Sequence, residues 1–134
     1  MAVSEEGGII LSDGISRVAL VSSGPAGLGS PTRIEVSSGP FSVVTEAEAW
    51  DYGRFRDALV RIHETLVGEA ELTFVEGGHS VTLKGDGDGK VRAKVVVTDG
   101  RGDWNAALTV KMLLDQSYLP DVIHTIRREF LSDS

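Results

Sequence analysis

The chain has 134 residues and a formal net charge of −7, and it contains no cysteine. This length suits one domain, residues 1–134, that buries enough apolar surface to fold without cross-links. The lack of cysteine excludes disulfides and thiolate zinc sites, and the negative charge argues against general binding to nucleic-acid phosphates.

The first part of the chain predicts β-structure. Apolar runs at Ile9–Leu11 and Ile15–Val21 flank a Ser-Asp-Gly turn, and a Ser-Gly-Pro turn separates Thr32–Val36 from Phe41–Glu46. Between these pairs, Ser22–Pro31 is rich in Gly and Pro and has no periodicity. This composition is typical of an exposed, mobile loop.

A central amphipathic helix is predicted from about Asp51 to near Gly68. Its apolar residues recur at helical spacing: Phe55, Ala58, Leu59, Ile62 and Leu66. The start of the helix has two interpretations. Thr45-Glu46-Ala47-Glu48 fits a capping box, whereas Gly53 favours a later beginning.

Four further strands are predicted after this helix. They are Leu72–Val75, Ser80–Lys84, Lys90–Val97 and Asn105–Leu114, separated by turns at Gly77-Gly78, at the GDGDG run and at Asp99–Asp103. Because these turns are short, neighbouring strands should pair antiparallel.

The GDGDG run has two interpretations, a calcium loop and a hairpin turn. Counting from Asp86, a calcium loop of the EF-hand type would place Asp88 third, Lys90 fifth and Val97 twelfth. Calcium ligands are oxygen atoms, which neither lysine nor valine side chains supply. Glycine and aspartate accept the positive φ of hairpin turns, so we expect a turn and no metal site.

The alternation of these strands also predicts two faces. One face is apolar: Leu72, Phe74, Val81, Leu83, Val91, Ala93, Val95, Leu108, Val110 and Met112. The other is polar: Glu71, Thr73, Thr82, Lys84, Arg92, Lys94, Thr109 and Lys111. Its cations, with Glu71 near Lys84, form a stripe that is either a solvated face or a docking site for a partner or an acidic segment.

A last helix is predicted after Asp115. Its apolar stripe consists of Leu119, Val122, Ile123, Ile126 and Phe130. Asp115 or Ser117 can accept from the first free N–H groups, and Pro120 suits the first turn, so a cap explains this aspartate without catalysis. The fold class is therefore α+β, a curved antiparallel sheet with one central and one C-terminal helix.

The histidines and the turn aspartates give little support for a catalytic function. His63, His79 and His124 belong to three different elements, and no metal-ligand spacing joins them. We interpret His63 as a half-buried packing residue. Asp99 and Asp103 flank a turn and could pair for acid–base chemistry, but exposed hairpin carboxylates more often cap and solubilise. We expect no enzyme, cofactor or metal.

Acidic residues exceed arginines between Glu46 and Glu76. A solvated helix face explains this excess, and so does docking of a cationic partner. The candidate partner-binding residues are Glu46, Glu48, Asp51, Asp57 and Glu64.

A resemblance favours the second explanation. The segment Ile62 to Leu72, a Gly-tipped hairpin, and Leu114-Asp115-Gln116-Ser117-Tyr118-Leu119 before a terminal helix resemble WapI-type immunity proteins and related bacterial families over Phe41 to Phe130. The resemblance implies a small cytoplasmic binder that neutralises a toxin domain, as in contact-dependent inhibition, without catalytic residues. Nuclease toxins are commonly basic, which suits an acidic partner.

Other functions stay open. The chain could be a self-assembling module, such as a homodimer, or a carrier of a small ligand in the hollow of the sheet. No apolar run reaches the roughly 20 residues of a membrane span, and the first residues lack the order of a signal peptide. We therefore expect a cytoplasmic protein without membrane or nucleic-acid partners.

Overall fold

The computed structural model describes residues 8–24, 29–75, 78–98 and 106–131. The elements are β1 Ile9–Ser12, β2 Ser16–Ser22, β3 Ser30–Ser38, β4 Phe41–Ala49, α1 Tyr52–Thr65, β5 Val67–Thr73, β6 Ser80–Asp86, β7 Lys90–Thr98, β8 Ala107–Asp115, a 3₁₀ turn Gln116–Tyr118 and α2 Leu119–Phe130. The predicted α+β class, with a central and a C-terminal helix, is confirmed.

The strands form two antiparallel sheets of four, β1–β4 and β5–β8, each in chain order. The sheets meet where β4 ends. Ala49 forms a bridge with Phe74, and the N–H of Trp50 donates to the carbonyl of Thr73 at 3.0 Å. The predicted curved sheet is thus two sheets joined at this short bridge.

Helix α1 begins where the Asp51 carboxylate accepts a hydrogen bond from the N–H of Arg54 at 3.0 Å. The later of the two predicted starts is therefore correct. The capping-box alternative is wrong because Thr45 and its neighbours pair with β3 as part of β4. At the other end, Leu66 adopts a left-handed conformation with φ 67°, so the chain turns directly into β5, five residues before the predicted start.

Both helices bury their apolar stripes against the sheets. Tyr52, Phe55, Leu59 and Ile62 of α1 share one core cluster with Leu119, Val122, Ile123 and Ile126 of α2 and with the inner faces of both sheets. Four residues of the predicted apolar faces are only partly buried: Ala58, Leu66, Leu108 and Phe130. The β1–β2 hairpin therefore shares one continuous core with both helices and the second sheet.

The predicted GDGDG hairpin is confirmed, because β6 and β7 are joined through Gly87–Gly89. Several other predicted turns include residues outside the described ranges: Gly77-Gly78, Asp99–Asp103 and the centre of the Ser22–Pro31 loop. Among the described helices, none has the length and apolar character needed to cross a membrane.

Candidate partner-binding surfaces

Two of the predicted partner-binding residues, Glu46 and Glu48, lie on β4. Their cross-strand neighbours on β3 are Arg33 and Pro31, respectively. The Arg33 guanidinium instead forms an ion pair with Glu35 at 2.7 Å. Glu46 is exposed and Glu48 is half-buried, so both belong to the solvent-facing side of the first sheet.

Asp51 has a structural task as well as a charge. Its Oδ1 caps α1 by accepting from the N–H of Arg54, while the residue itself stays exposed. An N-cap of this kind stabilises a helix by about 1 kcal/mol. Any experiment that replaces Asp51 must therefore separate its cap from its charge.

Asp51 also borders a groove of about 580 Å³ between the start of α1 and the edge of β5. The groove is lined by Trp50, Asp51, Arg54, Ala58, Glu69, Glu71 and Thr73. Its lining carries three carboxylates against one guanidinium, and Trp50 is 50% exposed. We call it the acidic groove. An exposed tryptophan within a charged rim is the arrangement that protein interfaces favour.

Trp50, Glu69 and Glu71 are missing from the predicted set. Trp50 carried a usable signal, since it is a large aromatic residue directly before a polar helix start. The two glutamates were harder to place because the predicted β5 began at Leu72, whereas the strand begins at Val67.

Asp57 and Glu64 line a different depression, of about 470 Å³, on another side of α1. Its other lining residues are Arg56, Val60, Arg61 and Arg127. Asp57 forms an ion pair with Arg56 at 2.9 Å. Guanidinium groups outnumber carboxylates there, so the structure does not gather the five predicted residues into one surface.

The cationic stripe predicted for the second sheet is present on its outer face. Lys84 lies opposite Arg92, and Lys94 lies opposite Lys111. One detail of the prediction needs correction, because the direct neighbour of Lys84 on β5 is Glu69. Glu71 lies opposite Thr82 instead, two residue pairs further along.

Both aspartates of the GDGDG turn interact with other groups of the protein. Asp86 forms an ion pair with Arg92 at 3.0 Å, and the Asp88 carboxylate accepts from the N–H of Lys90 at 3.0 Å. Within residues 8–24, 29–75, 78–98 and 106–131, no three His, Asp or Glu side chains are grouped to hold a metal ion.

Asp115 and His63 take part in local structure. Asp115 accepts from the N–H of Ser117 at 3.0 Å, which caps the 3₁₀ turn and lowers the pKa of the carboxyl. The interpretation of His63 as a half-buried packing residue is wrong. Its ring is exposed, and its Nδ1 donates to Oε1 of Gln116 at 3.2 Å.

His79 is the buried histidine. Its Nδ1 accepts from the N–H of Thr98 at 3.2 Å, and burial lowers the pKa of the ring. The acid–base alternative at Asp99 and Asp103 falls outside the described residues. His79 lies directly before β6, whereas the other two histidines lie in α1 and α2.

Neither the curated proteins nor the solved structures gave a match. The model of the immunity protein WapI-like family matches residues 30–132, from β3 through α2, and so extends eleven residues further toward the N-terminus than the resemblance based on Phe41–Phe130. The chain belongs to the immunity protein WapI-like family.

Proposed function

We propose that this chain is an immunity protein that binds a cognate bacterial toxin domain directly and neutralises it in the cytoplasm. The observation that carries this proposal is the family match over residues 30–132, which spans both helices and the whole acidic groove. Binding alone is sufficient for this function, so the chain needs no catalytic residue, cofactor or metal.

The acidic groove is the contact surface that the geometry supports best. The exposed Trp50 supplies a rigid apolar anchor at its rim. Asp51, Glu69 and Glu71 surround it with negative charge, and Glu46 and Glu48 extend that charge along β4. A basic toxin domain, such as a nuclease, would be attracted by this field and oriented before contact.

Asp57 and Glu64 would attract the toxin domain only from a greater distance. They lie among arginines in the other depression, so their charges are locally offset. Electrostatic attraction between exposed charges is screened beyond about 8 Å at physiological salt. We therefore expect these two residues to affect the association rate less than Glu69 and Glu71 do.

The test is co-expression with the toxin domain encoded beside this gene, combined with kinetic binding measurements on the purified pair. Two variants carry the same change of charge: Glu69→Lys/Glu71→Lys in the groove and Asp57→Lys/Glu64→Lys outside it. We expect protection by the wild-type chain, slower association of the groove variant and a smaller effect of its matched control. Absence of both binding and protection would refute the immunity function.

Self-assembly is the second candidate, and one observation favours it. Phe41 and Ile15 are 63% and 77% exposed, and the register of β2, β3 and β4 places them at the same end of the first sheet. Homodimerisation through this end would make the sedimentation coefficient depend on protein concentration. The variant Phe41→Ser would then abolish that dependence.

The small-ligand carrier is less well supported. A carrier would need an open hollow on the inner side of the sheets. In the described core, Phe55, Leu59 and Ile126 fill that side and are at most 2% exposed. The described grooves lie at the surface instead.

A further inference from the structure

The outer face of the second sheet has an ordered distribution of charge. Acidic residues stand on β5, where Glu69 and Glu71 face Lys84 and Thr82 of β6. Cations stand on β6, β7 and β8. All four lysines of the chain, at positions 84, 90, 94 and 111, lie on these three strands. A protein of net charge −7 thus concentrates its lysines on one side of one sheet.

Two of the described cations on this face are paired with carboxylates, and three are not. Lys90 forms an ion pair with Asp115 at 3.4 Å, and Arg92 forms one with Asp86 at 3.0 Å. Within the described part of the chain, Lys84, Lys94 and Lys111 take part in no ion pair. The unpaired positive charge is therefore shared among β6, β7 and β8, with one lysine on each strand.

Two like-charged pairs face each other directly across neighbouring strands. Lys84 is the partner of Arg92, and Lys94 is the partner of Lys111. Like charges in such positions destabilise a sheet. Lysine on an edge strand protects against aggregation, which would explain Lys111 on β8. It does not explain Lys94, because β7 is an inner strand and the cross-strand neighbours of Lys94 are Thr82 and Lys111, neither of which is acidic.

The same face has an apolar anchor and a free edge. Leu113 of β8 is 54% exposed and lies opposite Arg92. It borders a groove of about 550 Å³ whose lining also includes Thr82, Lys84, Lys94 and Lys111. β8 is the last strand of its sheet, and no described strand pairs with its outer edge.

We propose that this face binds an acidic polypeptide segment of a partner protein, which lies along the free edge of β8. Carboxylates of the segment contact Lys94 and Lys111 and remove the repulsion between them. An apolar side chain of the segment packs on Leu113, and the backbone of the segment pairs with β8 as an added strand. A nucleic acid fits less well, because neither the exposed Leu113 side chain nor the free edge of β8 offers a contact that a phosphate backbone would use.

The experiment uses the purified chain without any toxin, so its outcome is independent of the immunity proposal. The probe is a labelled twelve-residue peptide of alternating Glu and Val. The controls are the same peptide with Lys in place of Glu and a single-stranded oligonucleotide of equal length. Fluorescence anisotropy reports the dissociation constants at low and at high salt.

We expect the acidic peptide to bind, and added salt to weaken the binding. The variant Lys94→Glu/Lys111→Glu should weaken it by at least about tenfold, because attraction becomes repulsion at two contacts. The matched control Arg61→Glu/Arg127→Glu makes the same change of charge on the helices and should leave binding nearly unchanged. Amide hydrogen exchange in β8 should slow when the peptide is bound.

The single variant Lys111→Glu adds a second readout. It places opposite charges across the strands, so it should raise the melting temperature of the free chain while weakening peptide binding. Failure of the acidic peptide to bind at millimolar concentration would overturn the proposal. Equal binding of the Lys peptide or of the oligonucleotide would overturn it too, and so would unchanged exchange in β8.

Discussion

The aromatic rings of Tyr52 and Phe130 stack with their centroids 3.8 Å apart, and this contact joins the first residue of α1 to the last residue of α2. The Tyr52 hydroxyl lies 2.9 Å from Oγ1 of Thr32 on β3. Since the Thr32 hydroxyl donates to the carbonyl of Ser30, Tyr52 is the donor in this pair. Burial raises the pKa of Tyr52, so the donor stays protonated.

Removing this hydroxyl should weaken the fold without disturbing the ring stack. We expect Tyr52→Phe to lower the free energy of unfolding by about 1 kcal/mol, the usual net value of a buried hydrogen bond. Urea denaturation measures the change. Tyr118→Phe is a useful comparison, because it removes a half-buried bond to the carbonyl of Ser12 and should have no larger effect. An unchanged midpoint for Tyr52→Phe would contradict the role assigned to this hydroxyl.

The docking of α2 can be tested at two neighbouring positions. Ile126 is completely buried, whereas Arg127 is exposed. Ile126→Ala should lower the free energy of unfolding by about 2–5 kcal/mol, because it removes buried methyl groups and leaves a cavity. Arg127→Ala should change it by less than about 0.5 kcal/mol. Equal and small effects in chemical denaturation would mean that α2 does not cover the core.

Two glycines should respond oppositely to alanine. A Cβ at Gly85 would lie 2.8 Å from the carbonyl oxygen of Leu66 and 2.9 Å from the Ile62 side chain, closer than packed atoms allow. A Cβ at Gly53, in the first turn of α1, would meet only an Asp51 oxygen at 3.4 Å. We expect Gly85→Ala to lower the melting temperature and Gly53→Ala to raise stability by about 0.5 kcal/mol. A stabilising Gly85→Ala would show that β6 does not lie against the end of α1.

His79 should make stability depend on pH. Burial lowers the pKa of its ring from the usual 6.5, so the unfolded chain binds this proton more readily than the folded chain. The free energy of unfolding contributed by His79 is therefore fully present above pH 6.5 and decreases as the pH falls toward the lowered pKa. Protonation would also place a hydrogen on the Nδ1 that now accepts from Thr98.

The matched variant for this prediction is His79→Asn, whose Oδ1 occupies the position of Nδ1 and can still accept from the Thr98 N–H but does not titrate. Melting temperatures measured at pH 7.5 and 5.5 should differ more for the wild type than for His79→Asn. An equal decrease of the melting temperature in both proteins would mean that a group other than His79 causes the pH dependence.

Much of the fold followed from local patterns. Alternation along β6, β7 and β8 assigned their inner and outer faces, because successive side chains on a strand point to opposite sides. Helical spacing assigned the buried stripes of α1 and α2. The turn at GDGDG was identified because the residues that a calcium site needs at its fifth and twelfth positions are Lys90 and Val97.

The acidic groove did not follow from such patterns, because it joins residues far apart in sequence. Trp50 and Glu71 meet across the groove only because the bridge between Ala49 and Phe74 aligns the ends of the two sheets. The neighbour of Lys84 was misassigned for a related reason. Register depends on where each strand begins, and the left-handed Leu66 lets β5 begin earlier than apolar alternation indicated.

The two roles of Asp51 lead to a prediction that distinguishes helix capping from partner binding. Its Oδ1 accepts from the N–H of Arg54, and its charge belongs to the acidic groove. Asp51→Asn keeps an acceptor oxygen at the N-cap and removes the charge, whereas Asp51→Ala removes both. Asparagine is as good an N-cap as aspartate, and alanine costs about 1 kcal/mol at this position.

We therefore expect Asp51→Ala to lower the melting temperature and Asp51→Asn to leave it nearly unchanged. If the groove binds a basic toxin domain, both variants should slow association to the same extent and reduce its salt dependence, since both lack the charge. Stopped-flow measurements with the toxin domain encoded beside this gene give these rates. If Asp51→Asn associates at the same rate as the wild type, the toxin does not contact this part of the groove. Asp51 would then contribute only to the fold.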